Sequence, residues 1–116
     1  MSGWDATAAL ETERTRTRER LAGLLGDHAG IVEASADSNA DDEHDPEGAT
    51  IAFERAQVSA LVDQAHTHLA EVEAALERVA AGTYGTCERC GRAIATARLE
   101  ARPVARTCIT CAARAT

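Results

Sequence analysis

Lysine is absent from this chain, and its 12 basic residues are all arginine. Aromatic residues are nearly absent, with one Trp, one Tyr and one Phe in 116 positions. Only Pro46 and Pro103 interrupt the backbone as prolines. No stretch approaches the ~20 consecutive apolar residues of a membrane span, and the N-terminus has no apolar run of signal-peptide type. These absences argue against a membrane-spanning helix, and a soluble, cytoplasmic chain is expected. Scarce aromatics also exclude a thick globular core. The apolar fraction of 45% is dominated by 26 alanines, with only 18 Leu, Ile or Val. Alanine is the best helix former, so the composition favours an elongated helical body with a narrow apolar seam.

Net charge is -7, which opposes binding of the whole molecule to nucleic acid through phosphates. The charge is uneven. Asp37, Asp41, Asp42, Glu43, Asp45 and Glu47 form an acidic run without a basic residue. From Cys87 onward, six arginines oppose only Glu88 and Glu100.

Two seams of apolar periodicity are present. Ile51, Val58, Val62, Ala65, Leu69, Val72, Leu76 and Val79 alternate at steps of three and four, with Arg55 in register. That is a heptad seam over about four heptads. Glu54, Gln57, Asp63, Glu71, Glu73 and Arg78 fall on the opposite face. Thr50 suits the start of this helix and Gly82 its end. Upstream, Leu10, Thr17, Leu21, Leu24, His28 and Ile31 form a weaker seam, with Arg14 and Ser35 in register. The polar stretch 38–48 carries Pro46 and Gly48 and separates the two seams. The pattern predicts an all-α fold: an antiparallel coiled-coil hairpin over 1–81, then a finger over 82–116. The helices are expected over about 5–37 and 49–81, with an acidic tip loop over about 38–48. Helices of some 30 residues run ~45 Å at 1.5 Å per residue, so the expected shape is a rod with an acidic tip.

The four cysteines form two Cys-x-x-Cys pairs, Cys87 with Cys90 and Cys108 with Cys111, separated by Gly91 to Thr107. This is the spacing of a tetrahedral four-thiolate zinc site. Soft anionic ligands suit Zn²⁺, and Gly91 suits a knuckle that turns through positive φ. Two disulfides are the alternative, but nothing places the chain in an oxidising compartment. Four protein thiolates leave no open coordination position, so one structural zinc is expected and catalysis is not. No nucleophile–base pair is visible either. His66 and His68 do not share a helix face, and Trp4 reads as a packing residue.

The run Gly82-Thr83-Tyr84-Gly85-Thr86-Cys87-Glu88-Arg89-Cys90-Gly91 is followed by Ile94, then Arg98-Leu99-Glu100-Ala101-Arg102-Pro103, then Cys108-Ile109-Thr110-Cys111. From about residue 76 to 112 this resembles the DksA/TraR family of four-cysteine zinc-finger proteins, whose members are bacterial transcription regulators. The resemblance implies binding to RNA polymerase without direct sequence-specific binding to DNA. Family members insert a coiled coil into the secondary channel, where tip acids approach the catalytic Mg²⁺ region. It places a partner-facing tip on Asp41, Asp42, Asp45 and Glu47. The family tip has the form D-x-x-D-x-A. Gap-free counting from the cysteines puts His44 and Glu47 at its two aspartate positions. After Arg55 the second helix offers only Arg78 as a cation, with Glu71 in its middle, so no strong response to guanosine tetraphosphate is expected. A zinc-ribbon interaction module with a different partner is the competing reading.

Overall fold

In the computed structural model the backbone is described for residues 4–38 and 46–114, and side chains for 4–26 and 48–114. Residues 39–45 of the expected acidic loop lie outside the described residues, while 46–48, expected in the loop, form the first turn of α2. Two long helices come first, α1 over Ala6–Ser38 and α2 over Pro46–Ala81. Two short ones follow, α3 over Thr96–Ala101 and α4 over Ile109–Ala113. There is no strand among the described residues, only a single antiparallel bridge between Thr86 and Ala93.

The helix ends follow from local chemistry. Asp5 caps α1, its Oδ1 accepting the Ala8 N–H at 3.2 Å, which satisfies one of the donors left over in a first turn. Helix α2 starts at Pro46, ahead of the Thr50 start read from the sequence. A proline at the first helical position loses no hydrogen bond, since its missing N–H would have had no partner there. Gly82 ends α2 with φ +77. Its N–H reaches Val79 O at 3.2 Å and the Thr83 N–H reaches Arg78 O at 2.9 Å, the two bonds of a Schellman motif.

The chain divides into two compact units. Residues Met1–Thr15 and Leu69–Thr116 form one, and Arg16–His68 the other. The first groups the start of α1 with the end of α2, and the second groups the rest of α1 with the earlier part of α2, the pairing of an antiparallel hairpin. The fold is all-α, a coiled-coil hairpin with a C-terminal four-cysteine finger.

The first unit holds the better core. Leu10, Val72 and Ala75 are fully buried and pack with Val104 of the finger, joined by Leu76, Val79 and Tyr84. A second cluster joins Cys87, Ile94, Leu99 and Ala105, with Trp4 and Tyr84 against it. The finger is therefore packed on the helix ends rather than hung from them. Glu71 and Glu73, assigned to the outer face by the heptad, are half-buried and each has an interaction partner. Arg78 is also half-buried, and its Nη2 donates to Val104 O at 3.4 Å. The finger covers the Glu71 and Arg78 side of α2, which a two-helix pattern cannot foresee.

In the second unit, Thr17 and Ala65 are buried, while Leu21, Leu24, Ile51, Val58 and Val62 are half-buried. The apolar residues of the α2 seam thus face inward, while Arg55, in register with them, is exposed. Leu25, Phe53 and Leu61 are exposed.

Candidate metal centre

The first cysteine pair sits on a tight turn. The Cys87 N–H donates to Arg92 O at 2.8 Å, and the Gly91 N–H returns to Cys87 O at 2.9 Å. Gly91 closes this turn at φ +74, a region where a Cβ would meet its own backbone. The second pair straddles the start of α4: Cys108 is extended at φ -68 and ψ 165, and Cys111 lies in the helix. The Ala112 N–H bonds Cys108 O at 2.9 Å, which sets the turn between them.

Between the pairs, the Arg98-to-Pro103 segment is scaffold. Leu99 fills the cluster beside Cys87. Arg98 Nε donates to Thr107 O at 2.8 Å, holding the backbone just before Cys108. The Tyr84 hydroxyl donates to Pro103 O at 2.9 Å. The Glu88 N–H donates to Arg106 O at 2.9 Å, and Arg89 Nη1 reaches Cys111 O at 3.5 Å. These bonds tie one knuckle to the other. Burial pushes the Tyr84 phenol up, against the opposing pull of the Arg78 guanidinium. Tyr84→Phe should lose about 1 kcal/mol of stability, because Pro103 O keeps its burial and loses its donor. Thermal denaturation measures this, and zinc content should be unchanged.

The four sulfurs lie within 4.8 Å of one another, and Cys90 Sγ is 3.8 Å from Cys108 Sγ. A disulfide requires ~2.05 Å, and all four cysteines are free. A Zn²⁺ at ~2.3 Å from each sulfur of a tetrahedron sets the sulfurs ~3.8 Å apart. The donor set therefore fits zinc in both chemistry and size. Cys87 is buried, Cys90 exposed, and Cys108 and Cys111 half-buried.

Electrostatics favours thiolate at one corner and a retained proton at another. Backbone N–H groups of Cys108 and Cys90, and then of Arg89, turn toward the Cys87 sulfur and lower its pKa to about 6, against the effect of burial. The Cys111 N–H lowers Cys108 in the same way. Cys111, hydrogen-bonded to the Cys108 sulfur and desolvated, is pushed up to about 12. It keeps its proton at neutral pH until a metal cation displaces it.

Residues 82–116 match the prokaryotic DksA/TraR C4-type zinc finger. The finger is of the DksA/TraR type. Over most of its length the chain is also similar to the solved structure of transcription factor DksA2 from Pseudomonas aeruginosa. The match has a TM-score of 0.78 and 28% identity, covering 94% of this chain and 78% of that one. An uncharacterised protein of Aquifex aeolicus strain VF5 is 52% identical over 44 residues. Those residues are 38% of this chain and 30% of that protein. The uncharacterised YteA of Bacillus subtilis strain 168 is 41% identical over 66 residues, 57% of this chain and 28% of YteA. The chain spans less than a third of either curated relative. Together these matches give a DksA/TraR-type finger on a DksA-like fold, with one four-cysteine cluster fit to hold a metal among the described residues.

Asp41, Asp42 and Asp45 lie outside the described residues, and Glu47 falls in the first turn of α2 with its side chain outside them. The contribution of Trp4 to the finger cluster is specific to the folded chain. Its sequence signal was limited to being one of three aromatics. No described helix is long and apolar enough to cross a membrane.

Proposed function

We propose that this protein regulates transcription by binding RNA polymerase, entering the secondary channel with the acidic segment between α1 and α2. The observation that carries this reading is the match to transcription factor DksA2 along 94% of the chain, hairpin as well as finger. Zinc is structural in this scheme, held by Cys87, Cys90, Cys108 and Cys111, and the protein is not an enzyme. A cytoplasmic location follows from the same reading. Asp41, Asp42, Asp45 and Glu47 would face the metal-containing interior of the channel, where negative charge is drawn in.

No strong response to guanosine tetraphosphate is included. A cleft of about 510 Å³ is lined by Arg89, Arg98, Arg102 and Arg106, but Glu71 and Glu88 line it too. These two carboxylates offset half of the charge that would attract a pyrophosphate.

The test separates binding from action. Asp42→Asn, Asp45→Asn and Glu47→Gln together should leave affinity for core RNA polymerase within about threefold, because charge outside a docking surface acts mainly on the encounter rate. The same triple variant should lose its effect on transcription in vitro. Full regulatory activity in that variant removes the acidic segment from the mechanism. A second reading, a zinc-ribbon module for a different partner, draws on the curated matches, which cover only 44 and 66 residues. Failure of the wild-type protein to bind polymerase would favour it.

A further inference from the structure

The four sulfurs are not equally sheltered. Cys87 is 1% exposed and sits in the cluster of Ile94, Leu99 and Ala105. Cys90 is exposed, and with Cys108 and Cys111 it lines one groove of about 920 Å³ on the finger. That volume lies within the ~300–1,000 Å³ of ordinary ligand pockets. Ala93, Ala95 and Ala97 line it too, and their short side chains leave it room. The cluster thus has one covered corner and one side open to solutes.

The rest of the lining is basic. Arg92, Arg98 and Arg114 border the groove, and no acid does among the described residues. The cleft lined by Glu71 and Glu88 differs in this respect. Arg98 is held by its bond to Thr107 O, while Arg92 and Arg114 are exposed. The Cys87 N–H to Arg92 O and the Arg114 N–H to Cys111 O are backbone bonds, which changes of either arginine side chain leave in place. Four thiolates with Zn²⁺ carry about -2, which three guanidinium groups outweigh.

Sulfur ligands along one wall and guanidinium groups at the rim call for one ligand chemistry. Only a soft donor replaces a cysteine sulfur well at such a centre, and a thiol is one. A planar guanidinium pairs with a carboxylate through two parallel hydrogen bonds. We infer that this groove binds small carboxylated thiols and is the route of zinc exchange, with Cys90 the first ligand to let go. Arg92 and Arg114 hold the carboxylates. This aims the thiol at the edge where the Cys90 and Cys108 sulfurs stand 3.8 Å apart. Cys90 takes up the proton that the incoming thiol gives up. One S–H bond breaks and one forms, and nothing is oxidised or reduced. Cys87, covered by its cluster, lets go last. The inference is independent of the polymerase reading.

The experiment uses the zinc-loaded full chain with a chromogenic zinc chelator as reporter. Three thiols serve as probes: anionic mercaptosuccinate, neutral β-mercaptoethanol and cationic cysteamine. Rates are compared at equal thiolate concentration, because the thiolate is the form that binds metal. Mercaptosuccinate should release zinc about tenfold faster than β-mercaptoethanol, and cysteamine more slowly than both. Arg92→Gln with Arg114→Gln should bring the mercaptosuccinate rate down to that of β-mercaptoethanol, with melting temperature unchanged. Arg102→Gln with Arg106→Gln, in the neighbouring cleft, should keep the preference. Arg92→Glu with Arg114→Glu should make cysteamine the fastest of the three, a gain that a damaged fold does not produce. A brief pulse of iodoacetamide during the mercaptosuccinate reaction should label Cys90 before the other cysteines. Equal rates for the three thiols, release independent of thiol concentration, or a preference that survives in the Arg92/Arg114 variants overturns the groove as the thiol site. Labelling of Cys87 first overturns Cys90 as the corner that opens.

Discussion

Cys108→Ser should abolish stoichiometric zinc binding and unfold much more than the finger. Apparent zinc-binding energies of structural four-ligand sites are about 10–16 kcal/mol, comparable to or above the whole stability of a small domain. Losing the Cys108 thiolate removes one corner of the tetrahedron and releases Leu99, Ala105 and Ile94 from their packing beside Cys87. The damage continues inward, because Val104 belongs to the cluster of Leu10, Val72 and Ala75. Metal analysis should fall from one zinc per chain to none, and near-ultraviolet dichroism from Trp4 and Tyr84 should flatten. Far-ultraviolet dichroism should keep a substantial helical signal from the Arg16–His68 unit. Zinc retained at one per chain in Cys108→Ser would refute the ligand assignment. Acid should act in the same direction as the mutation. Protons and zinc compete for the sulfurs, so metal affinity falls as pH drops through the Cys87 value of about 6. At neutral pH, zinc uptake should release the Cys111 proton, measurable with an indicator in weak buffer.

The second large effect is expected from Val72→Asp. Val72 has no exposed surface and touches a cluster drawn from α1, α2 and the finger. A carboxylate there has no cation in the cluster, so it either stays charged in an apolar setting or takes up a proton. The cost is about 3–5 kcal/mol, the range for an uncompensated buried charge. For a protein of ordinary marginal stability that is most of the margin. Thermal melting should show a large fall in midpoint. The half-buried Leu69 should respond less to the same change, because its carboxylate can reach water. Equal melting of Val72→Asp and wild type would show that the α2 seam does not face the core.

Much of this was readable in advance. The heptad from Ile51 to Val79 picked out the buried Ala65 and Val72 because a helix packed on one partner obeys a single period. The cysteine spacing picked out the metal centre because tetrahedral coordination tolerates few alternatives. Gly91 was legible for the same reason, since a knuckle needs positive φ after its second cysteine. Ala75 was not. It is fully buried yet lies off the heptad, because Val104 supplies a second surface for α2 to pack on. Arg78 and Glu71 misled for the same reason: both look solvent-facing on a two-helix pattern, and both lie under the finger. The Arg98-to-Pro103 run identified the family before its job was clear. Its residues work through backbone carbonyls, Thr107 O and Pro103 O, which leave no mark in side-chain periodicity.

The grouping of residues 1–15 with 69–116 has a consequence for biosynthesis. Leu10 leaves the ribosome about ninety residues before Val104, the partner that completes its cluster. At ~5–20 residues per second, that is a wait of some 5–20 s. During it the first turns of α1 have no finished surface to join. The Arg16–His68 unit needs no such delay, since its own helical stretches are close in sequence. Closure of the first unit must come last, with the second cysteine pair, and metal availability at that moment decides whether the newborn chain is completed or left open to proteases.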